Sequence, residues 1–175
     1  MPGRRLLWQI YPAYLLITLL SLSAVGFFAS REARQFYLAL TAEDLAARAR
    51  LVEPEVRARL VAADPGAADA LCKQLGRQAA TRITVILPGG RVAGDSEESP
   101  AAMGSHADRP EVAAAFAGAG GSSTRYSATL HEDMMYVAVP VRQDGRVVAV
   151  VRTAIPLTHV DRALRIIYLQ IGLGG

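Results

Sequence analysis

The sequence predicts an α+β domain on a membrane tether: one five-stranded antiparallel sheet with helices on one side, preceded by a transmembrane helix. Three observations carry this expectation. An uncharged, mostly apolar run fills Leu6–Ala29. Beyond it the hydrophobic period stays near 3.6 as far as residue 79, then changes to 2 at residue 83. Turn signals separate five strand-like runs: Pro88-Gly89-Gly90, a long loop over Glu97–Gly120, and Asp144-Gly145.

About 20 apolar residues suffice to cross a bilayer as a helix, so Leu6–Ala29 is long enough. Trp8, Tyr11 and Tyr14 sit near its N-terminal end, where amphipathic rings favour the interface. Arg4 and Arg5 precede the run, which keeps the short N-terminus cytoplasmic and sends the rest outside; Arg31 and Arg34 on the far side reduce this asymmetry. A cleavable signal peptide is the rival reading. Its apolar region is usually about 7–15 residues, and this run continues into Phe27 and Phe28, which favours an uncleaved anchor.

From residue 31 to about residue 62 a long helix is predicted. Leu38, Ala42, Leu45, Ala49, Val52 and Val56 repeat at alternating four and three residues, with an interruption and bend expected at Pro54. Asp64-Pro65-Gly66 ends it, and a shorter helix carries Ala68, Leu71, Leu75 and Ala79 on one side. The strands then follow over Ile83–Leu87, Arg91–Ser96, Ser122–Leu130, Met134–Arg142 and Arg146–Ile155. Val148 and Val150 make the last strand apolar on both faces, which points to a central position. The long loop holds its own short helix at about Pro110–Ala117, capped either by Asp108 with Glu111 three residues on, or by Arg109.

Thr158 and Asp161 suggest a capping box opening a closing helix, whose seam is Val160, Leu164, Ile167 and Ile171. The division expected is therefore 1–30 for the cytoplasmic N-terminus and first span, 31–165 for the outward domain, and 166–175 for the start of a truncated second span. An amphipathic helix lying on the domain is the alternative for those last residues.

Composition narrows the function. The 175 residues carry a net charge of +3, and setting aside Arg4 and Arg5 leaves 17 basic residues against 16 acidic. No clustered basic face offers itself to nucleic acid. Cys72 is the single cysteine, which excludes an internal disulfide and a thiolate metal cluster and suits a small helix-packing residue. Asp95, Glu97, Glu98, Asp108, Glu132 and Asp133, with His106 and His131, lack metal-ligand spacing and read as solvated loop charge. Ser122, Ser123 and Ser127 lie in no nucleophile elbow. No catalytic residue, cofactor or metal is expected.

Three stretches resemble the extracytoplasmic region of PhoR-type sensor histidine kinases over nearly the whole chain. They are RITVILPGGRVAGDS at residues 82–96 with Met103, His106 and DRPEV at 108–112; RYSA at 125–128 with MYVAVP at 135–140; and RTAIPL at 152–157. The chain departs from the family at Gly104 and at Ser105, where members usually carry Asn. The resemblance implies a PAS-like, single-Cache-type sensor between two spans of a bacterial inner membrane, extracytoplasmic over 31–165 and embedded in lipid. It also implies a homodimer, with a small ligand or a periplasmic partner protein as the stimulus. A HAMP linker, phosphoacceptor histidine and ATP-binding domain would follow, and a response regulator would be reached only through those missing parts. The same sensor on a chemotaxis receptor or a cyclic-dinucleotide enzyme, or a self-contained anchored binding protein, are the alternatives.

The candidate ligand residues are His106 and Arg109 on the loop with Arg125, Tyr126, Tyr136 and Arg152 on the strands. Arginine forks suit carboxylates or phosphates, and tyrosine hydroxyls suit polar ligands generally. The competing reading is structural: His106 and Arg109 pin the loop, and strand parity distributes the other four over an exposed sheet.

Overall fold

The computed structural model describes residues 3–62, 66–127 and 131–158. The chain divides into two compact units, residues 1–39 and 40–175. Helix α1 is Gly3–Val61. In the first unit it exposes Leu15, Leu16, Ile17, Leu19, Leu20, Leu22, Phe27 and Phe28. So much uncovered apolar surface on a helix marks a segment that meets a membrane or another protein. The helix is long and apolar enough to cross a membrane.

In the second unit α1 continues through Pro54 with no break in the helix, so the interruption expected there is confined to the hydrogen bond that proline cannot donate. Helix α2 is Ala67–Ala79, and Arg48 closes its C-terminus by donating from Nη1 to the Ala79 carbonyl at 2.9 Å and to Thr81 Oγ1 at 2.6 Å. The strands are β1 (Arg82–Ile86), β2 (Val92–Asp95), β3 (Gly121–Ser127), β4 (Glu132–Gln143) and β5 (Arg146–Pro156), in the order β2-β1-β5-β4-β3 and all antiparallel. β5 is central, as its two apolar faces suggested. Asp144 (φ +51°) and Gly145 (φ +77°) make the two-residue β4–β5 turn, the positive-φ pair whose twist matches that of the strands.

One face of the sheet presents Ile83, Val85, Val139, Val141, Ala149 and Val151 to Ala49, Val52 and Val56 of α1 and to Leu71 and Cys72 of α2. Burying each large aliphatic side chain here contributes about 1.5–3 kcal/mol. Thr153 fastens α1 to this face, its hydroxyl donating to the Leu45 carbonyl at 2.9 Å. The opposite face is covered too, contrary to the one-sided arrangement expected. Helix α3, Pro110–Phe116, lays Val112 and Ala115 on Ile86, Ala138 and Val150. The reason is the second apolar face of β5, which needs a partner of its own. The turn at 63–65, the Thr158–Asp161 capping box, the closing helix and the second apolar run fall, wholly or in part, outside the described residues.

Candidate functional site

The register decides which side chains meet. Tyr136 pairs with Ser123 on one side and Ala154 on the other, Ala138 pairs with Arg152, and Thr84 pairs with both Arg152 and Asp95. Directly opposed residues share a face, and so do residues two apart on one strand. Arg82, Thr84, Asp95, Ser123, Arg125, Tyr136 and Arg152 therefore all lie on the face that α3 covers. The parity expected to disperse the candidates separates Tyr126 alone: it points the other way and is 58% exposed. Nor is this face an exposed one, since Tyr136 and Arg152 are each 3% exposed.

The loop is fixed above these strands by its backbone and one hydroxyl. The His106 amide donates to the Gly90 carbonyl at 2.9 Å, and Ser105 Oγ donates to the Gly89 carbonyl at 3.1 Å. Asp108 makes no side-chain cap on α3. Arg109 is the N-cap residue, held extended (φ −75°, ψ 126°) by the proline that follows it. Glu111 is consequently free of any capping-box role and turns inward. Gly121 lets α3 approach this closely, because a Cβ there would stand 2.5 Å from the Glu111 carbonyl oxygen.

Glu111 is the buried centre of the cluster, with no exposed surface. Its carboxylate accepts from Ser123 Oγ at 2.6 Å and from Arg125 Nη2 at 3.0 Å, and lies 3.6 Å from Arg152 Nη1. Burial, the largest single influence, pushes its pKa up. The Ser123 hydroxyl, its own backbone N–H and Arg125 together outweigh burial and hold it below the ordinary value. Arg125 and Arg152 both stack on the Tyr136 ring, at 4.0 and 4.9 Å from its centroid. Arg152 also donates to Thr84 Oγ1 at 3.1 Å. Burial lowers the Arg152 pKa to about 10 despite the attraction of Glu111, so it stays a cation at neutral pH.

Beside this set stands a separate, closed pair. Asp95 was expected to be solvated loop charge, but it is fully buried. It accepts from Arg82 Nε at 3.1 and 3.2 Å, from Thr84 Oγ1 at 2.7 Å, and from the amides of Glu97 and Glu98 at 3.0 Å each. The antiparallel β1–β2 pairing, with its Pro88-Gly89-Gly90 turn, brings the two ends together, and the charge opposition across it was legible in principle.

His106 sits among the guanidiniums. Burial first, then the positive charges of Arg152, Arg109 and Arg125, push its pKa down to about 4, so it is neutral at physiological pH. Its Nδ1, and the Nε atoms of Arg109, Arg125 and Arg152, are buried without a hydrogen-bond partner among the described residues. Arg109 and His106 also line a cleft of about 350 Å³ with Glu98, Met103 and Ser105. Five of the six candidates thus converge, and the structure adds Glu111 and Ser123. Cys72, on the other side of the sheet, has its thiol pushed up to about 12, by burial first and then by Asp95 and Asp69, which makes it unreactive.

No protein-family model and no curated protein sequence matches the chain. Solved structures do. The sensor domain of the histidine kinase DctB of V. cholerae has TM-score 0.63 at 19% identity, with 78% of this chain and 57% of that one covered. The sensor domain of E. coli DcuS has TM-score 0.60 at 13% identity, covering 74% and 98%. The ligand-binding domain of the Pseudomonas fluorescens chemoreceptor CtaA, in complex with L-serine, has TM-score 0.56 at 16% identity, covering 74% and 59%. The chain spans less than two thirds of the DctB and CtaA structures. At these identities the likeness establishes the fold. It is the PAS-like, Cache-type fold of the sensor domains that histidine kinases and chemoreceptors carry.

Proposed function

We propose that residues 31–165 form the extracytoplasmic sensor of a PhoR-type two-component histidine kinase, which reads a small anion held between the α3 loop and the sheet. The observation that carries this reading is the convergence of three guanidiniums, Arg109, Arg125 and Arg152, around the neutral His106, with the Nε atoms of Arg125 and Arg152 buried and without a hydrogen-bond partner among the described residues. Arginine forks are the side chains best shaped for a carboxylate or phosphate, and charge-assisted hydrogen bonds are strongest where water is excluded. Tyr136 fixes two of the three forks through its ring.

The first span anchors the domain in the inner membrane, and the protein acts as a homodimer whose α1 helices carry the response. An anion drives the switch only by binding one packing of the domain more tightly than another. The likeness to CtaA keeps a chemotaxis receptor as the second reading. Two measurements test the proposal. The 175-residue chain in lipid nanodiscs should show a raised thermal midpoint with succinate or inorganic phosphate, and an Arg152→Met variant should lose that rise. A folded wild type that responds to neither anion sinks the ligand reading. The coding sequence beyond residue 175 decides the output: a phosphoacceptor-histidine helix there supports the kinase, and a chemoreceptor signalling hairpin replaces it.

A further inference from the structure

Helix α1 carries two apolar stripes in the second unit, and the fold covers only one of them. Leu45, Ala49, Val52 and Val56 form the buried one. On the other side of the same helix Leu40, Ala47, Leu51, Pro54, Ala58 and Val61 are all exposed. Single exposed apolar side chains are ordinary, but a periodic row of them marks a contact surface. With Asp44 they recur at alternating four and three residues, the spacing of a coiled-coil seam. Leu51 is the extreme case: it is 80% exposed, more than Leu22 of the membrane-crossing run at 72%. Asp44, the one charge in the row, is neutralised within its own helix by Arg48 at 2.8 Å.

Deepening the homodimer of the sensor reading above, we infer that this second stripe is a seam between two copies of the chain, parallel and in register. The charges beside the row select that occupant. In a parallel pair, the residue preceding Asp44, Leu51 or Ala58 faces the residue five positions further on in the partner helix. That rule sets Glu43 against Arg48 of the second copy, and Arg50 against Glu55 of the second copy. Both pairs are of opposite sign, and two-fold symmetry makes each of them twice. A slip of one heptad destroys the match, setting Arg50 against Arg48 or against Ala62. Arg48 is already engaged with Asp44, so the discriminating pair is Arg50 with Glu55; both are exposed and neither ion-pairs among the described residues. Two copies tethered by the same apolar N-terminal run leave a bilayer in one sense, as a parallel seam requires.

Cysteine cross-linking of the full 175-residue chain in dilute lipid vesicles tests it, with Cys72 buried and unreactive. Leu51→Cys should give a disulfide-linked dimer under mild copper–phenanthroline oxidation. Thr124→Cys, exposed on the edge strand β3, should stay monomeric. Adding Arg50→Glu to Leu51→Cys sets like charges across the seam and should cut the linked fraction several-fold. Adding Glu55→Arg as well restores opposite signs and should recover it, which a general effect of surface charge would not do. Monomer alone from Leu51→Cys, or equal linking at both cysteine positions, overturns the seam. Linking confined to Thr124→Cys overturns it in favour of a contact at the sheet edge. A linked fraction unchanged by Arg50→Glu, or not recovered by Glu55→Arg, overturns the register. An anion-induced rise in thermal midpoint that persists through any of these failures leaves the sensor reading standing.

Discussion

The two faces of the sheet are built from alternate residues of the same five strands, yet they do opposite things. On one, Ile83, Val85, Val139 and Val151 meet α1 and α2 with no charged group among them. On the other, Arg82, Asp95 and Arg152 are buried, and Glu111 of α3 reaches down to Arg152. The first face needs only apolar volume, which many sequences supply. The second needs every charge to find its counterpart, because burial of an unpaired ion costs several kcal/mol. The central strand β5 serves both faces in turn: Val151 and Thr153 toward α1, Arg152 toward Thr84 and Glu111.

The sharpest way to break this contrast is Asp95→Ala. It strands Arg82, which is 5% exposed and paired to Asp95 at 3.1 Å, and should cost about 3–5 kcal/mol in chemical denaturation. Ile83→Ala on the apolar face opens a cavity and should cost about 2–5 kcal/mol, with the preference among anions unchanged. An altered preference would show that the two faces are coupled in binding.

The smallest expected effect is that of pH. His106 has a folded pKa of about 4 against about 6.5 unfolded, so its neutral form stabilises the fold. That contribution is complete above pH 6.5 and declines as the pH falls from about 6.5 to 4. Glu111 and Asp95, held below the usual carboxylate range, keep their contributions to lower pH still. The thermal midpoint of wild type should therefore drop across that window more than that of His106→Gln; parallel curves would place the responsible group elsewhere.

Much of the architecture was legible because period and turn chemistry are local. The Met135, Val137, Val139, Val141 face and the Val147, Ala149, Val151 face were set by alternation, and Asp144-Gly145 by its requirement for positive φ. Glu111 was missed because a glutamate three residues after an aspartate reads as a capping box. The signal that could have found it is the stripe of α3: Glu111 stands with Val112 and Ala115 on the buried side of a seven-residue helix. A carboxylate on that side must have cationic partners, and the nearest in space are 14 and 41 residues away along the chain. Asp95 was misread as loop charge for a similar reason, since its exposure depends on Arg82 and α2.

The sequence alone determined the long apolar N-terminal helix, the order of helices and strands among the described residues, the centrality of β5, and five of the residues that the fold gathers around His106 and Tyr136. Each is a matter of spacing along one segment, which the 3.6 and 2.0 periods translate directly into faces. Only the tertiary structure decided that α3 covers the second face, that Tyr126 turns away, and that Glu111 and Asp95 are buried counter-ions. Those outcomes depend on strand register and on charges brought together across long stretches of chain, and no local period encodes either.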